Sequence, residues 1–420
     1  REPFLEIEGP SDLPALHDYQ ERVKENFHNL LRRSKAERGL LCLPTGAGKT
    51  RVAVQSMVEL IRDEKLGGPI LWVAQTDELC EQAVQTWSEI WRAKGSSDRL
   101  AISRLWSTNE VPETPDLCQV VVATIAKLDT LDGFEPGDRK DPYGWLAKAT
   151  CVVIDEAHRA GANTKSYNRL LKWLSLDHNK KARNLIGLTA TPYRGTSEEE
   201  TRRLIRRFAN KRIDEGVFDE DAYSELQRSG HLAKVRHKIL KGRPLQLEPE
   251  ELVHLKRFRR LPPSAATRIG DDKVRNKEIL KSIVGLDENW PVLVFATSVS
   301  HAQALAAMLV IKGVTAAAIH SSTSHGERRH QIQQFRSGNI RVLTNYAVLT
   351  EGFDAPKIRA LYITRPTYSP NLYQQMIGRG LRGPLNGGEE ECLIFDVEDN
   401  IARYDKKLVF HEFEPLWSRN

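Results

Sequence analysis

A chain of 420 residues has room for two or three domains, and 40% hydrophobic with 28% charged residues is the composition of an ordinary globular protein. No run of about eighteen apolar residues occurs, so no segment reads as a membrane span, and the opening "REPFLEIEGP" is too polar for a secretory signal. The net charge of +6 suits a polyanionic partner without identifying one, and the five cysteines (Cys42, Cys80, Cys118, Cys151, Cys392) form no CxxC pair. Scattered cysteines argue against a zinc, iron–sulfur or disulfide scaffold and for a reducing compartment, expected to be cytoplasmic or, in a eukaryote, nuclear.

In chain order, short apolar runs alternate with amphipathic stretches. The first runs are Gly39–Leu43, Ile70–Ala74, Val120–Ala123, Cys151–Ile154 and Leu185–Leu188. They read as parallel strands buried on both faces, with helices such as Lys49–Asp63 and Asp77–Lys94 between them. The strand-to-helix passage "LCLPTGAGKT" (Leu41–Thr50) is built of small residues that let backbone N–H groups face an anion. Thr45, Gly46, Ala47 and Gly48 would cradle phosphates, Lys49 would neutralise them, and Thr50 would ligate Mg2+. A glycine-rich turn before a helix is the plain alternative, but the strand before and the helix after are the context a phosphate loop requires.

"CVVIDEAH" follows as a strand ending in paired carboxylates, which suits Mg2+ at Asp155 and a base for water at Glu156. Thr189-Ala190-Thr191 again follows a strand, where small hydroxyls can bridge a nucleotide site to a neighbour. Thr196 to about Lys281 is different: it is dense in charge, contains "RRLIRRFANKR" and "HLKRFRRLPP", and reads either as a solvated helical connector or as a basic surface near a nucleic-acid path. "RRLPP" is a candidate corner.

A second α/β series begins near Pro291 with "PVLVFATS" and runs to "ECLIFDVED". Within it, "QMIGRGLR" places Arg379 and Arg382 three apart, which predicts one shared helical face. Arginines from a second domain can stabilise charge building on a transferred phosphoryl group. Trp72, Trp87, Trp91 and Trp106 have a stacking role open to them, though core packing is the commoner use of such spacing.

The ordered set "PTGAGKT", "DEAH", "TATP", "EGFDAP" and "QMIGRGLR" resembles the superfamily 2 helicases and translocases over roughly Leu16 to Asp399. The resemblance is strongest to their DNA-directed branch, which includes RadD-like helicases, XPB-like translocases and the motor subunits of type I and type III restriction enzymes. It implies an α/β fold of two tandem RecA-like domains, parallel sheets flanked by helices, joined by a charged, mainly helical connector. The expected boundaries are 1–195 for the ATP-binding domain, 196–281 for the connector, 282–400 for the second domain and 401–420 for a tail.

The resemblance implies further roles. Gln20 in "LHDYQ" would read adenine, Gly352 and Asp354 would face ATP and the arginines, and His158 would link to Gln375. Thr76, Thr124, Thr297, Thr344 and Asn345 would meet the nucleic-acid strand. Asp155, Glu156, His158, Gln375, Arg379 and Arg382 form the implied catalytic set, with ATP and Mg2+ as cofactors. The expected activity is ATP-driven movement along a phosphate backbone, DNA being the expected track and RNA an open alternative. Two other readings stand beside it. One is a motor module of a larger restriction, repair or antiphage assembly, with a nuclease or partner-binding part outside this chain. The other is an ATP-gated sensor or clamp.

Overall fold

The structure is a computed structural model and describes residues 4–7, 13–33, 35–130, 141–161, 165–177, 183–190, 198–242, 245–258, 260–349 and 357–399. It divides into two compact units, Arg1–Pro44 with Gly48–Ala222, and Thr45–Ala47 with Tyr223–Asn420.

The first unit contains β1 (Phe4–Ile7), α1 (Asp18–Leu31), β2 (Arg38–Cys42), α2 (Lys49–Arg62), β3 (Ile70–Ala74), α3 (Asp77–Lys94), β4 (Leu100–Leu105) and β5 (Cys118–Thr124). It continues through α4 (Ile125–Asp129), β6 (Cys151–Ile154), α5 (Lys165–Trp173), β7 (Asn184–Thr189) and α6 (Glu198–Arg207), and α7 (Ala222–Arg228) leads out of it. The sheet order is β1-β4-β5-β3-β6-β7-β2, parallel except for β1, which pairs antiparallel with β4. Every residue of β2, β3 and β6 is buried. That is why these strands read as unbroken apolar runs: helices cover both faces of a parallel sheet.

Strand β2 is the edge of this sheet, and its open side is closed by the segment after α6. Leu40 N–H donates to Lys211 O (2.9 Å) and Leu40 O accepts from Ile213 N–H (2.9 Å). An edge covered in this way offers no ladder to another chain.

The second unit contains β8 (Lys234–Lys241), α8 (Pro249–Phe258), α9 (Pro263–Gly270), α10 (Lys273–Val284), β9 (Val292–Phe295), α11 (Val299–Ile311) and β10 (Ala316–Ile319). Then come α12 (His325–Arg336), β11 (Val342–Asn345), β12 (Ala360–Ile363), α13 (Pro370–Ile377) and β13 (Glu391–Glu398). All pairings in its sheet are parallel, in the order β10-β11-β9-β12-β13-β8. Its core gathers Ile279, Ile283, Val292, Val294, Leu305, Leu309, Val342 and Tyr362. The ring of Tyr362 stacks on Phe395 at 4.3 Å.

The stretch expected as a helical connector does hold α6 to α10, but it also supplies β8, an edge strand of the second sheet. The sequence of β8, "KVRHKILK", hides this, because a half-exposed edge tolerates lysine and arginine where an inner strand does not. No helix among the described residues is long and apolar enough to cross a membrane.

Candidate active site

The loop from β2 into α2 is shaped by two glycines with left-handed backbone, Gly46 at φ +88° and Gly48 at φ +79°. Gly48 is the N-cap of the fourteen-residue α2 and contributes no side-chain cap, and the first turn carries no acidic residue. The first N–H groups of the helix and its positive dipole end are thus left for an anion. Lys49 folds back over the loop, its Nζ donating to Leu43 O (3.1 Å) and Pro44 O (3.3 Å). A Cβ on Gly48 would lie 2.5 Å from Gln20 Nε2, so the Gln20 amide sits directly against the loop. Gln20 is fixed in turn by His17 N–H, which donates to its Oε1 (3.0 Å), and by its own Nε2, which donates to Tyr19 Oη (3.2 Å). Left-handed glycines, a capless helix end and a folded lysine fit the phosphates of a nucleotide, and Thr50 is the second residue of α2.

Behind the loop lies a brace that the sequence did not announce. Cys42 N–H donates to Asp214 Oδ1 (2.8 Å), and the buried Asp214 is ion-paired with Arg212. Burial, and after it the Asp214 charge, pushes the Cys42 thiol up to about 12, which removes it from thiolate chemistry. Only the fold brings a residue so distant in the chain to the end of β2.

Strands β6 and β7 lie beside β2 in the sheet, so their C-terminal ends face the same edge as the loop. The loop is joined to β7 directly, by Leu43 N–H donating to Thr189 O (3.2 Å). At the end of β6, Asp155 N–H donates to Val73 O (2.8 Å), and its carboxylate Oδ1 accepts from Glu156 N–H (2.9 Å). Glu156 has φ +49°, a left-handed conformation that a non-glycine residue holds only when its surroundings enforce it. The Oε2 of Glu156 lies 3.2 Å from His158 Nδ1, which is also 3.2 Å from the hydroxyl of the fully buried Thr189. Asp155, Glu156, His158 and Thr189 therefore form one connected polar group, while Thr191 lies outside the described residues. Beside it, Gln75 accepts from Arg159 (3.4 Å) and donates to Tyr167 Oη (2.6 Å). No group of three His, Cys, Asp or Glu side chains that could hold a metal ion occurs among the described residues.

In the second unit, α13 is pinned to the sheet by Tyr373, whose hydroxyl donates to Asp396 Oδ2 (2.7 Å). His237 Nε2 of β8 meets the same oxygen at 2.8 Å. Gln375 lies on α13, but the helix ends at Ile377, with Gly378 as its C-cap. The expectation that Arg379 and Arg382 share a helical face is therefore corrected. Arg379 is in the turn after the helix, its Nε donating back to Gln375 O (3.3 Å), and Arg382 is held extended in an antiparallel bridge with Leu232. The helix stops because Gly380 must press against the sheet: a Cβ there would run into Cys392 Sγ and come within 2.9 Å of Leu361 Cδ1.

The residues expected to meet a nucleic-acid strand fall into two groups. Thr76 and Thr124 are N-caps of α3 and α4, their hydroxyls accepting from Leu79 N–H (3.3 Å) and Lys127 N–H (3.2 Å) at the C-terminal ends of β3 and β5. Thr124 is buried, and so are Thr297, Thr344 and Asn345 in the second unit. Thr344 Oγ1 donates to Ala302 O (2.8 Å), Asn345 Nδ2 donates to Val294 O (3.0 Å), and Thr297 is engaged with His301. Gly352 and Asp354 lie outside the described residues. Trp72, Trp87, Trp91 and Trp106 are all core residues, with Trp72 and Trp87 edge to face at 6.4 Å.

Two family models match where these sites lie: type III restriction enzyme, res subunit, over residues 13–194, and helicase conserved C-terminal domain over residues 275–383. The two matches, in this order along one chain, support a superfamily 2 helicase core, and the likeness in fold to a solved helicase supports two tandem RecA-like domains. It is 25% identical over 395 residues to the IRC3 protein of Saccharomyces cerevisiae, named as an ATP-dependent helicase, covering 91% of this chain and 51% of that protein. Its fold is similar to that of S. cerevisiae Dbp5 bound to RNA and ADP BeF3, with a TM-score of 0.60, 18% identity, and 91% of this chain and 83% of that one covered. It is equally similar to the ATP-dependent type ISP restriction-modification enzyme LlaBIII bound to DNA, with a TM-score of 0.60, 15% identity, and 95% and 28% covered. The chain spans about half the length of the curated relatives it matches.

Proposed function

We propose that this chain is an ATP-driven motor that moves along DNA. The observation that carries the reading is the arrangement at one sheet edge: the Gly46–Lys49 loop at the end of β2, Glu156 held by His158 at the end of β6, and Thr189 between them on β7. A phosphate cradle beside a constrained carboxylate suits attack of water on a γ-phosphorus, with the bond to the β-phosphate oxygen breaking to leave ADP and phosphate. Glu156 would orient and deprotonate that water, and Lys49 would neutralise the phosphate oxygens. Mg2+, held through Thr50 and Asp155, would supply further charge neutralisation. Gln20, against the loop, would read the base. Arg379 and Arg382 would add positive charge as the transition state forms, and Gly352 and Asp354 would complete the nucleotide set. Binding energy that differs between nucleotide states is what lets such a reaction drive movement.

DNA is favoured by the restriction-enzyme family match over residues 13–194 and by the likeness to a DNA-bound restriction motor. The same two findings support a second reading, a motor module working with a nuclease or recognition part supplied elsewhere. The test is ATPase rate with no nucleic acid, single-stranded DNA, duplex DNA, forked DNA and RNA. Stimulation by DNA and not RNA is expected. Stimulation by RNA alone overturns the DNA assignment, and a DNA response that needs an added restriction or repair subunit favours the second reading.

A further inference from the structure

The turn between α8 and α9 carries a group of side chains that the nucleotide site does not use. Phe258, the last residue of α8, is 50% exposed. Two guanidinium groups lie over its ring, Arg257 at 5.1 Å and Arg260 at 5.9 Å, and the His254 ring is 4.7 Å away. His254 Nδ1 is 3.2 Å from Arg260 O, and Pro263 starts α9 with its backbone already set. Behind it, Glu251 takes both terminal nitrogens of Arg268 at 2.7 Å each, joining α8 to α9.

Its position in the unit is equally defined. Gly270, at the end of α9, packs against Thr297 and His301, just past β9. The buried Arg275 of α10 donates to Asp399 (2.7 and 2.9 Å) and to Thr364 O, just past β12. Arg365 follows, with its guanidinium 5.6 Å from the Tyr346 ring just past β11. Arg260 stands close enough for its charge, after burial, to help lower the Arg365 pKa. The aromatic and its arginines thus lie at the C-terminal edge of the second sheet, the edge where open α/β sheets bind ligands.

We infer that Phe258, with Arg257 and Arg260, is a stacking platform for one base of a single-stranded nucleic acid, the two arginines taking the adjoining phosphates. An exposed ring next to exposed cations is the chemistry single strands call for: stacking tolerates any base, and the cations track the backbone. A duplex offers neither an unstacked base face nor the reach to the ring. The inference rests on the motor reading above, because it assigns a contact to the track that reading requires.

The test compares binding of an oligo-dT strand with binding of the same strand made abasic, by fluorescence anisotropy without nucleotide. The wild-type chain is expected to prefer the base-bearing strand about tenfold. Phe258→Ala should bring the two affinities together, while Phe258→Trp keeps the preference. Arg257→Gln with Arg260→Gln should weaken both strands alike and flatten the salt dependence by about 1.4 in log–log slope. If Phe258→Ala retains the full preference, the platform is overturned and the motor stands. If the wild-type chain responds only to duplex, the platform is again overturned. If no nucleic acid binds or stimulates at all, the motor reading falls with it.

Discussion

Glu156 Oε2 and the buried Thr189 hydroxyl both lie 3.2 Å from one ring nitrogen, His158 Nδ1. These contacts orient the carboxylate that the proposed chemistry assigns to the attacking water. His158→Ala should therefore lower kcat at least tenfold while leaving ATP affinity within about twofold, since positioning is lost and binding is not. Glu156→Gln should go further, retaining ATP and all but ending hydrolysis. Turnover of Glu156→Gln at the wild-type rate would remove Glu156 as the base.

Lys49 occupies its loop by donating to Leu43 O and Pro44 O, both backbone groups. Lys49→Ala should leave the fold intact and abolish the rise in melting temperature that ATP and Mg2+ give the wild-type chain. A preserved ATP shift would show that the phosphates bind elsewhere.

Arg382 is held in the turn by a backbone bridge with Leu232. Arg382→Ala should slow hydrolysis by about 10³-fold, in the range of arginine fingers, with nucleotide affinity little changed. An unaltered rate in stopped-flow phosphate release would take Arg382 out of the reaction.

Gly380→Ala tests the close approach that ends α13. Its Cβ would collide with the buried Cys392 and Leu361. Overpacking of this kind costs about 1–3 kcal/mol. A lowered denaturation midpoint is expected, and Gly380→Ala with Cys392→Ala should recover part of it.

His301 gives the second unit a pH dependence. It is buried, its Nδ1 accepts from Thr297 N–H (3.2 Å), and its Nε2 faces Asn276 Oδ1 (3.0 Å), so only the neutral ring fits. Burial, with Arg275 adding to it, pulls its pKa from the ordinary 6.5 to about 3. Between those values the unfolded chain binds the extra proton, so stability falls as pH drops through that window, by an amount on the order of 4 kcal/mol. His301→Gln should flatten the dependence in chemical denaturation curves, and an unchanged curve would refute the assignment.

The sequence disclosed the inner strands and the nucleotide loop because both obey local rules. Strand β3 begins and ends where its apolar run does, at Ile70 and Ala74, and α3 spans the expected Asp77–Lys94. Strand β4 escaped notice because Ser103 and Arg104 interrupt it. Both are buried, Arg104 being offset by Glu81 at 3.2 Å, a compensation visible only once the two are adjacent. The same holds for Asp214 behind Cys42. The helical reading of Arg379 and Arg382 failed because spacing cannot show that Gly380 is pressed against a strand. Motif resemblance likewise could not show that Thr344 and Asn345 spend their polar atoms inside the sheet.

Strand β8 is the first strand of the second unit, yet its partner along all eight residues is β13, the last strand among the described residues, from Lys234 beside Glu391 to Lys241 beside Glu398. During synthesis β8 must wait unpaired while the elements between the two leave the ribosome. Strand β13 then works as a clasp: it joins the waiting edge on one side and β12 on the other, and Asp399 just beyond it receives the buried Arg275. A stop codon placed shortly before Glu391 would thus cost the unit two strands and an anchor rather than one strand. Such late closure sets a long interval in which a chaperone, or a second copy of the chain, could reach the exposed edge first.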